Sequence, residues 1–435
     1  SRSPQTDHEV ETGFFDLLAG PVSASGPVGP GGSTMSGAGE ERGAPAAGTG
    51  AGAIKTGEQG TSLRYRMMDL ARTRGDVISL GRGDPDLDTP PTVIEGALAG
   101  FTSVAAGTDS VRGLLELREG IARRYLEEKG VEVDPRTEIL ITNGAQEGLF
   151  LAMLALVDPG DRVACPDPRY TSYDQAIGAA GGEIDTIPTG GDHPFELSAD
   201  NLRRYAADSK LLVFVTPSTP TGACVGSEGV EALAAVAADL DLIVLADEIY
   251  EDVVFEGLPF RSFLSVDGAR GRTVTLSGFS KSYAMTGFRV GYLVGPPEFI
   301  DAVAALKATT SGPCPVFSQA TALAALGIAH DTRADFLAIY ASRREALMGG
   351  FDALDIPYGP HGGGLFMWAD VSRLGMDAET FCYRLLDEAG VLMFPGNSFG
   401  PRWKNWVRVS LLAREEDIGE AMRRMREFVE QVEGI

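Results

Sequence analysis

The residues best suited to chemistry lie in the run LSGFSKSYAMTGFRVGYLVG at positions 276–295. Lys281 follows the apolar run TVTLSG, which predicts a strand. Its amine is therefore expected at the carboxyl edge of a parallel sheet, where α/β proteins bind their ligands. A lysine at such a place is either a solvated loop cation or a functional amine. The nearby hydroxyl of Ser280 and the cation of Arg289, eight residues further on, favour the functional amine.

Other candidates lie at the ends of further predicted strands. The run LDLIVLADEIYEDVVF carries Asp247 and, three residues later, Tyr250. Taken alone, such residues more often serve as a helix cap and a packing aromatic. The segment TNGAQEG joins a predicted strand to a predicted helix, and the free N–H groups at that helix start form a natural anion site. Arg408 lies in the apolar strand WVRVSLL and needs a partner there, because a lone buried charge is costly.

The composition excludes several classes of protein. The 435 residues contain 37 Lys and Arg against 61 Asp and Glu, which gives a net charge of −24. Such an acidic surplus repels nucleic-acid phosphates and anionic lipids, so neither a nucleic-acid nor a membrane partner is expected. The four cysteines and four histidines show no metal-ligand spacing, so we expect no metal site and no disulfide framework. No apolar run is long enough to span a membrane, and a reducing cytoplasm is the expected compartment.

The chain divides into a compositionally biased start and a long alternating remainder. Residues 1–60 are rich in Gly, Ala, Pro and Ser and are predicted to form a disordered tail, in which only the piece at 9–20 could dock as one amphipathic turn. From residue 61 onward, helical patterns alternate with short apolar runs such as ILITNG and KLLVFVTP. Continuous apolar strands between helices indicate a mostly parallel sheet that is covered on both faces.

The run around Lys281 resembles the lysine-attachment signature of the class I/II aminotransferases, which are pyridoxal 5′-phosphate (PLP) enzymes of fold type I. Gly-Phe-Ser-Lys, two free positions, Ala-Met-Thr-Gly, one free position and Arg-Val-Gly match at every restricted place. The resemblance implies that Lys281 forms a Schiff base with PLP, while Ser280 and Arg289 bind the phosphate. An amine can form this bond and then move the α-proton, and the planar fork of arginine suits a phosphate.

The same resemblance implies roles around the cofactor ring. Asp247 matches the carboxylate that keeps the pyridine nitrogen protonated, and Tyr250 matches the tyrosine that hydrogen-bonds the phenolic oxygen. The interval of 34 residues from Asp247 to Lys281 fits the family. Further cofactor contacts are implied for Tyr170, which stacks on the ring, and for the phosphate cup of Gly144, Ala145 and Gln146.

Substrate contacts and domain organisation also follow from the resemblance. Arg408 is expected to bind the substrate α-carboxylate, and Gly83 in LGRGDPDLDTP is expected to touch the same group. The implied fold is α/β, with a large PLP-binding domain on a mostly parallel central sheet and a smaller α/β domain. The implied substrates are an amino acid and a 2-oxo acid. A homodimer is implied because such enzymes commonly build the active site between two subunits. The implied segments are 61–95, which joins the small domain, 96–315, the large domain, and 316–435, the C-terminal small domain.

Two positions depart from the family pattern. Thr219, in TPSTPTG, replaces an asparagine that usually donates to the phenolic oxygen of the cofactor. A threonine can still donate one hydrogen bond, and Tyr250 alone or a water could hold the oxygen instead. Thr108 stands where the family usually has a tyrosine that reaches the phosphate in the partner subunit. Both changes are expected to alter the surroundings of the cofactor.

The favoured function is that of a PLP-dependent aminotransferase, which acts on an α-amino acid through Lys281 and passes the amino group to a 2-oxo acid. The alternative keeps PLP but performs elimination, replacement or cyclisation, as in relatives similar to aminocyclopropane carboxylate synthase. A transcription regulator with an aminotransferase-like sensor domain is disfavoured, because residues 1–60 cannot form a winged helix. The side-chain specificity cannot be read, since the sequence alone places no second substrate-binding arginine.

Overall fold

The computed structural model describes residues 60–103, 110–190, 194–255, 257–258, 260–327 and 330–434. Thr108 and the predicted tail, apart from Gly60, lie outside the described residues. The helices are α1 (Gly60–Thr73), α2 (Pro91–Ser103), α3 (Leu115–Lys129), α4 (Ala145–Leu156), α5 (Thr171–Ala180), α6 (Ala199–Tyr205), α7 (Ser227–Asp239), α8 (Pro297–Thr310), α9 (Val316–Leu326), α10 (His330–Asp352), α11 (Ala378–Ala389) and α12 (Glu415–Glu433). The strands are β1 (Ile78–Ser79), β2 (Ile139–Thr142), β3 (Arg162–Asp167), β4 (Glu183–Pro188), β5 (Leu211–Val215), β6 (Ile243–Asp247), β7 (Thr273–Gly278), β8 (Gly291–Val294), β9 (Phe366–Asp370), β10 (Val391–Leu392), β11 (Phe394–Pro395) and β12 (Trp406–Ser410).

Seven strands form the central sheet in the order β2-β8-β7-β6-β5-β3-β4. Strands β3 to β7 run parallel to one another, whereas β8 runs antiparallel to both β2 and β7. The prediction of a mostly parallel sheet is confirmed, and β8 is its one reversed strand among the described residues.

Both faces of this sheet are buried, which explains the continuous apolar runs. In β5, Leu211 and Val213 pack with apolar side chains of α4, α5 and α8, whereas Leu212 and Phe214 pack with those of α6 and α7. Because successive side chains of a strand point to opposite faces, a strand that is covered on both sides favours apolar residues at successive positions. The prediction that helices cover both faces is confirmed.

Two smaller sheets lie in the remainder of the described chain. Strands β11, β12 and β9 form an antiparallel sheet, and β1 pairs in parallel with β10, with Ile78 opposite Val391. A third apolar cluster joins the strands β9 and β12 to α11 and α12. A strand near the start of the described chain therefore pairs with one near its end. The division at residues 61–95, 96–315 and 316–435 stays a prediction.

The parallel strands bring distant residues to one edge of the central sheet. Asp247 is the last residue of β6 and pairs with Leu276 of β7, five residues before Lys281. Strand β2 ends at the same edge, because it is antiparallel to β8 and β8 is antiparallel to β7. The start of α4 therefore lies at the edge that also presents Asp247 and Lys281.

Candidate active site

A cavity of about 610 Å³ lies at this edge of the sheet. Of the twelve site residues predicted from the sequence, Gly144 alone is absent from the cavity wall among the described residues. The other predicted residues, all of which line the wall, are Gly83, Ala145, Gln146, Tyr170, Thr219, Asp247, Tyr250, Ser280, Lys281, Arg289 and Arg408. The fold thus gathers into one cavity residues that are scattered over most of the sequence.

The amine of Lys281 is held by the backbone rather than by a close carboxylate. Nζ donates a hydrogen bond to the carbonyl oxygen of Gly83 at 2.6 Å, and Oδ1 of Asp84 lies 4.0 Å away. Burial lowers the pKa of Lys281 to about 8. Asp84 opposes this change, and the cations Arg408 and Arg289 add to it. More of the amine is therefore neutral near pH 7 than in a solvated lysine, as a nucleophile or a proton acceptor requires.

Asp247 is buried and receives two hydrogen bonds. The Tyr173 hydroxyl donates to Oδ2 at 2.7 Å, and the Ile249 N–H donates to Oδ1 at 3.2 Å. Burial raises the pKa of Asp247 to about 6, while the two hydrogen bonds lower it. The pKa of Tyr173 is itself well above its usual value, chiefly because of burial and then because of Asp247. The hydroxyl therefore keeps its proton and uses it in the hydrogen bond to Asp247. The sequence interpretation gave Tyr173 no role, although it is the second tyrosine of the run PDPRYTSY.

Tyr170, the other tyrosine of that run, lies on the cavity wall beside this pair. Its ring meets the Tyr173 ring edge-on, with centroids 5.7 Å apart, and its hydroxyl donates to Oε1 of Gln146 at 3.1 Å. The hydrogen bond ties the aromatic side chain to the first turn of α4. The wall therefore presents an oriented aromatic ring next to a buried carboxylate.

The guanidinium of Arg289 lies next to the start of α4. Gly144 precedes the helix with a φ of +77°, and a Cβ at this position would collide with the guanidinium of Arg289. Arg289 is exposed and donates through Nη1 to the carbonyl oxygen of Thr286 at 3.0 Å. Unpaired backbone N–H groups and an arginine at the same spot both favour a phosphate. Gly144 thus lies behind the cation, which explains why it does not line the cavity.

We predict that Gly144→Ala lowers the affinity for PLP, the cofactor that the sequence resemblance implies, by about 5- to 100-fold, since the added Cβ displaces the guanidinium of Arg289. Gly160→Ala is the matched control, because Gly160 has a φ of +91° and open space at its Cβ. The control carries the backbone strain without the collision and should affect thermal stability only. Fluorescence titration of the cofactor-free variants with PLP measures both affinities. Equal affinities in the two variants would contradict the role of the close approach.

Two hydroxyl groups lie on another part of the wall. Thr219 is buried, and its Oγ1 has no hydrogen-bond partner among the described residues. Tyr250 is also buried, and burial raises the pKa of its hydroxyl. The hydroxyl therefore keeps its proton at neutral pH and can donate a hydrogen bond. A buried hydroxyl without a partner is costly unless a ligand atom satisfies it. Thr219 therefore has a free donor where the sequence predicted a contact to an oxygen.

Arg408 is buried without a carboxylate partner among the described residues. Nη2 donates to the carbonyl oxygen of Gly81 at 3.1 Å, while Nε has no partner. The guanidinium also lies over three phenylalanine rings, the nearest being that of Phe366, whose centroid is 3.9 Å from Cζ. Burial, and after it the positive charge of Arg64, lowers the pKa of Arg408 to about 9. A buried cation in this state is stabilised by an anionic ligand.

The cavity wall carries more positive than negative groups, although the whole chain has a net charge of −24. Such a local excess attracts anionic ligands. Nothing in the sequence singled out Arg64 or Arg82, because the arginines of α1 and of its neighbourhood all look like surface residues. On the described wall, five cations, Arg64, Arg82, Lys281, Arg289 and Arg408, stand against two carboxylates, Asp84 and Asp247.

No helix among the described residues is long and apolar enough to cross a membrane. Within the same ranges, no group of three or more His, Cys, Asp or Glu side chains is arranged to hold a metal ion.

Comparison with known proteins identifies what the chain resembles. A family model described as aminotransferase class I and II matches residues 75–425. An aromatic-amino-acid aminotransferase from Thermococcus litoralis is 32% identical over 370 residues, which cover 84% of this chain and 95% of that protein. An aspartate aminotransferase from Pyrococcus abyssi has the same identity and the same coverage.

The fold is similar to that of solved structures as well. The crystal structure of an aromatic aminotransferase from Pyrococcus horikoshii matches with a TM-score of 0.80 and 31% identity, and the match covers 85% of this chain and all of that one. Residues 75–425, which the family model matches, include the strands of the central sheet and of the smaller sheets. The cavity therefore lies in a fold that is shared with these enzymes.

Proposed function

The chain belongs to the class I and II aminotransferase family and is a PLP-dependent aminotransferase of fold type I, and from this premise we propose that Lys281 is the residue to which PLP attaches. The observation that carries the proposal is an amine with a pKa lowered to about 8, hydrogen-bonded to Gly83 at the wall of the cavity. A neutral amine can attack an aldehyde, whereas a protonated one cannot.

The residues present fit PLP at each of its polar ends. We propose that Arg289, Ser280 and the first N–H groups of α4, at Ala145 and Gln146, hold the phosphate. Asp247 would hold the pyridine nitrogen, because a buried carboxylate stabilises a protonated ring nitrogen. The unsatisfied Oγ1 of Thr219 supports a contact to the phenolic oxygen. Tyr250 would share that contact, and Tyr170 would stack on the ring.

When bound, PLP supplies a ring system that accepts the electron pair left on the substrate α-carbon after deprotonation. The protein's own part is to place the groups that act on the substrate. Lys281 Nζ takes the α-proton as general base and returns a proton as general acid. The Tyr173 hydroxyl holds the Asp247 carboxylate in its ionised form through the hydrogen bond of 2.7 Å. Arg408 binds the substrate α-carboxylate with its guanidinium, whose Nε has no partner among the described residues.

The net reaction is transfer of an amino group. Elimination, replacement or cyclisation, which the change to Thr219 had left open, is not favoured, because the relatives reported above are aminotransferases. Those two relatives act on aromatic amino acids and on aspartate respectively, so both kinds of amino acid belong in a first substrate panel. We further propose an amino acid as the donor and a 2-oxo acid as the acceptor.

The assembly and the compartment are proposed on more general grounds. We propose a homodimer, since enzymes of this fold type commonly build the active site between two subunits. The replacement of the usual cross-subunit tyrosine by Thr108 lies in a stretch outside the described residues. The cytoplasm is the proposed compartment, and a role in biosynthesis accords with amino acids as substrates.

The proposed function is tested by borohydride reduction of the PLP-loaded protein, followed by peptide mapping. We expect the mass of PLP on the peptide that contains Lys281 and no label on the peptide that contains the exposed Lys404. A panel of amino donors is then mixed with 2-oxo acid acceptors, and the new amino acid and 2-oxo acid are quantified. Label on another lysine, or release of ammonia without transfer to the acceptor, would overturn the proposal.

A further inference from the structure

Arg64 is a cation that the proposed roles leave unused. It lies on α1 and lines the cavity, and its Nη2 donates to Oγ1 of Thr171 at 2.8 Å. Its Nε is buried and has no hydrogen-bond partner among the described residues. No ion pair joins its guanidinium to a carboxylate of the described chain, within which its charge is therefore uncompensated.

Arg64 lies close to Arg408. The Cζ atom of Arg64 is 5.4 Å from the centroid of the Phe399 ring, and that of Arg408 is 4.8 Å from the same centroid. Burial lowers the pKa of Arg64, as it lowers that of Arg408. Two neighbouring guanidinium groups repel each other in a medium of low dielectric, and anionic ligands relieve this repulsion.

Two of the five cations on the described cavity wall, Arg64 and Arg82, have no ligand under the proposed roles. Arg289 is proposed for the phosphate of PLP, Arg408 for the substrate α-carboxylate and Lys281 for the aldehyde. Arg82 is exposed to solvent, so hydration stabilises its charge. Arg64, which is partly buried beside Tyr170, is left without an anion.

We propose that Arg64 binds the side-chain carboxylate of a dicarboxylic substrate, an acidic amino acid or the corresponding 2-oxo diacid. This inference rests on the proposed function, because it takes Arg408 as the site of the α-carboxylate. The planar fork of a guanidinium donates two hydrogen bonds to a carboxylate, and Nε and its neighbour Nη form one such edge. Two arginines beside the Phe399 ring then receive the two ends of the same molecule.

The test measures binding of unreactive acids to the PLP-loaded protein by calorimetry. Glutarate carries two carboxylates, whereas glutaramate has the same length with one carboxylate replaced by an amide. We expect the wild-type protein to bind glutarate more tightly. Arg64→Gln should weaken glutarate binding by about 10- to 100-fold and change glutaramate binding by less than about threefold, because a charge-assisted pair is lost for glutarate alone.

Arg66→Gln is the matched control, since Arg66 lies on the same helix, is exposed and does not line the cavity. It should leave both affinities unchanged. The ratio of kcat/KM for glutamate to that for glutamine should fall in Arg64→Gln and stay constant in the control. If Arg64→Gln does not fold, Arg64→Lys keeps the charge and should retain part of the preference for glutarate.

Two results would overturn the inference. Equal weakening of glutarate and glutaramate would place Arg64 at the α-carboxylate or make it a structural residue. An unchanged preference would show that the second carboxylate binds elsewhere or not at all. Failure of the proposed function appears separately, as the absence of borohydride label on Lys281 of the wild-type protein, whereas failure of this inference leaves that label intact.

Discussion

Replacement of Lys281 with alanine is expected to lower the rate of amino transfer by about 10⁴-fold, the upper end of what one positioned proton-transfer group contributes. The amine has two proposed tasks, since it attaches PLP and also moves the α-proton, so its removal affects more than one step. The measurement is kcat with a 2-oxo acid acceptor, together with the PLP content of the variant. Retained PLP with lost turnover would locate the defect in the chemistry.

The control is Lys404→Ala, because Lys404 is exposed and does not line the cavity. Its activity should equal that of the wild type. The lowered pKa of Lys281 supplies a second readout that does not depend on turnover. Below a pKa of about 8 the neutral fraction of the amine falls about tenfold per pH unit, so the rate at which cofactor-free protein captures PLP should rise with pH and level off above 8. A rate that keeps rising to 10.5, the ordinary lysine value, would contradict the assignment.

Replacement of Asp247 with asparagine is expected to lower kcat by about 10²–10³-fold, the size of effect seen when one preorganised electrostatic contact is removed. Asparagine keeps the shape and can still accept the hydrogen bond from Tyr173, but it cannot stabilise a protonated pyridine nitrogen. The variant should retain PLP and its link to Lys281. Single-turnover kinetics with an amino donor measures the loss.

Asp239→Asn is the control for this substitution, since Asp239 is exposed and pairs with Arg203 on the surface. It should leave kcat within a factor of two or so of the wild type, as surface ion pairs contribute little. Tyr173→Phe adds an intermediate case, because it keeps the carboxylate but removes the hydrogen bond that lowers its pKa. Its activity should fall mainly on the acidic side of the pH profile. If the Asp247→Asn variant kept the wild-type kcat, the carboxylate would not be needed for the reaction.

The sequence predicted the cofactor end of the site because local motifs mark it. Lys281 and Asp247 each follow an apolar strand, and parallel strands β6 and β7 necessarily end at the same edge. The position of α4 at that edge depends on the direction of β2, which the pairings of β8 show and the sequence does not. The roles of these residues stay proposals, but their convergence in one cavity is a structural fact.

The sequence could not predict the rest, since it depends on contacts between distant segments. Arg64 and Arg66 look alike in the pattern of α1, and packing of the helix beside Phe399 decides which of them reaches the cavity. The reversed direction of β8 is equally hidden, because an apolar run reads the same in either orientation. The hydrogen bond that Tyr173 donates to Asp247 could not be predicted from the sequence, since it joins residues 74 positions apart.

Because β8 runs antiparallel to β7, one short connection carries two of the proposed site residues, Lys281 and Arg289. Residues 279–290 form the connection between β7 and β8, whose last paired residues are Gly278 and Gly291. This single hairpin carries both Lys281 and Arg289, the groups proposed for the aldehyde and the phosphate of PLP. Because both ends of the hairpin are fixed in the same sheet, the distance between Lys281 and Arg289 is set within the hairpin. A rearrangement of the smaller sheets would move Arg408 relative to the hairpin without changing that distance.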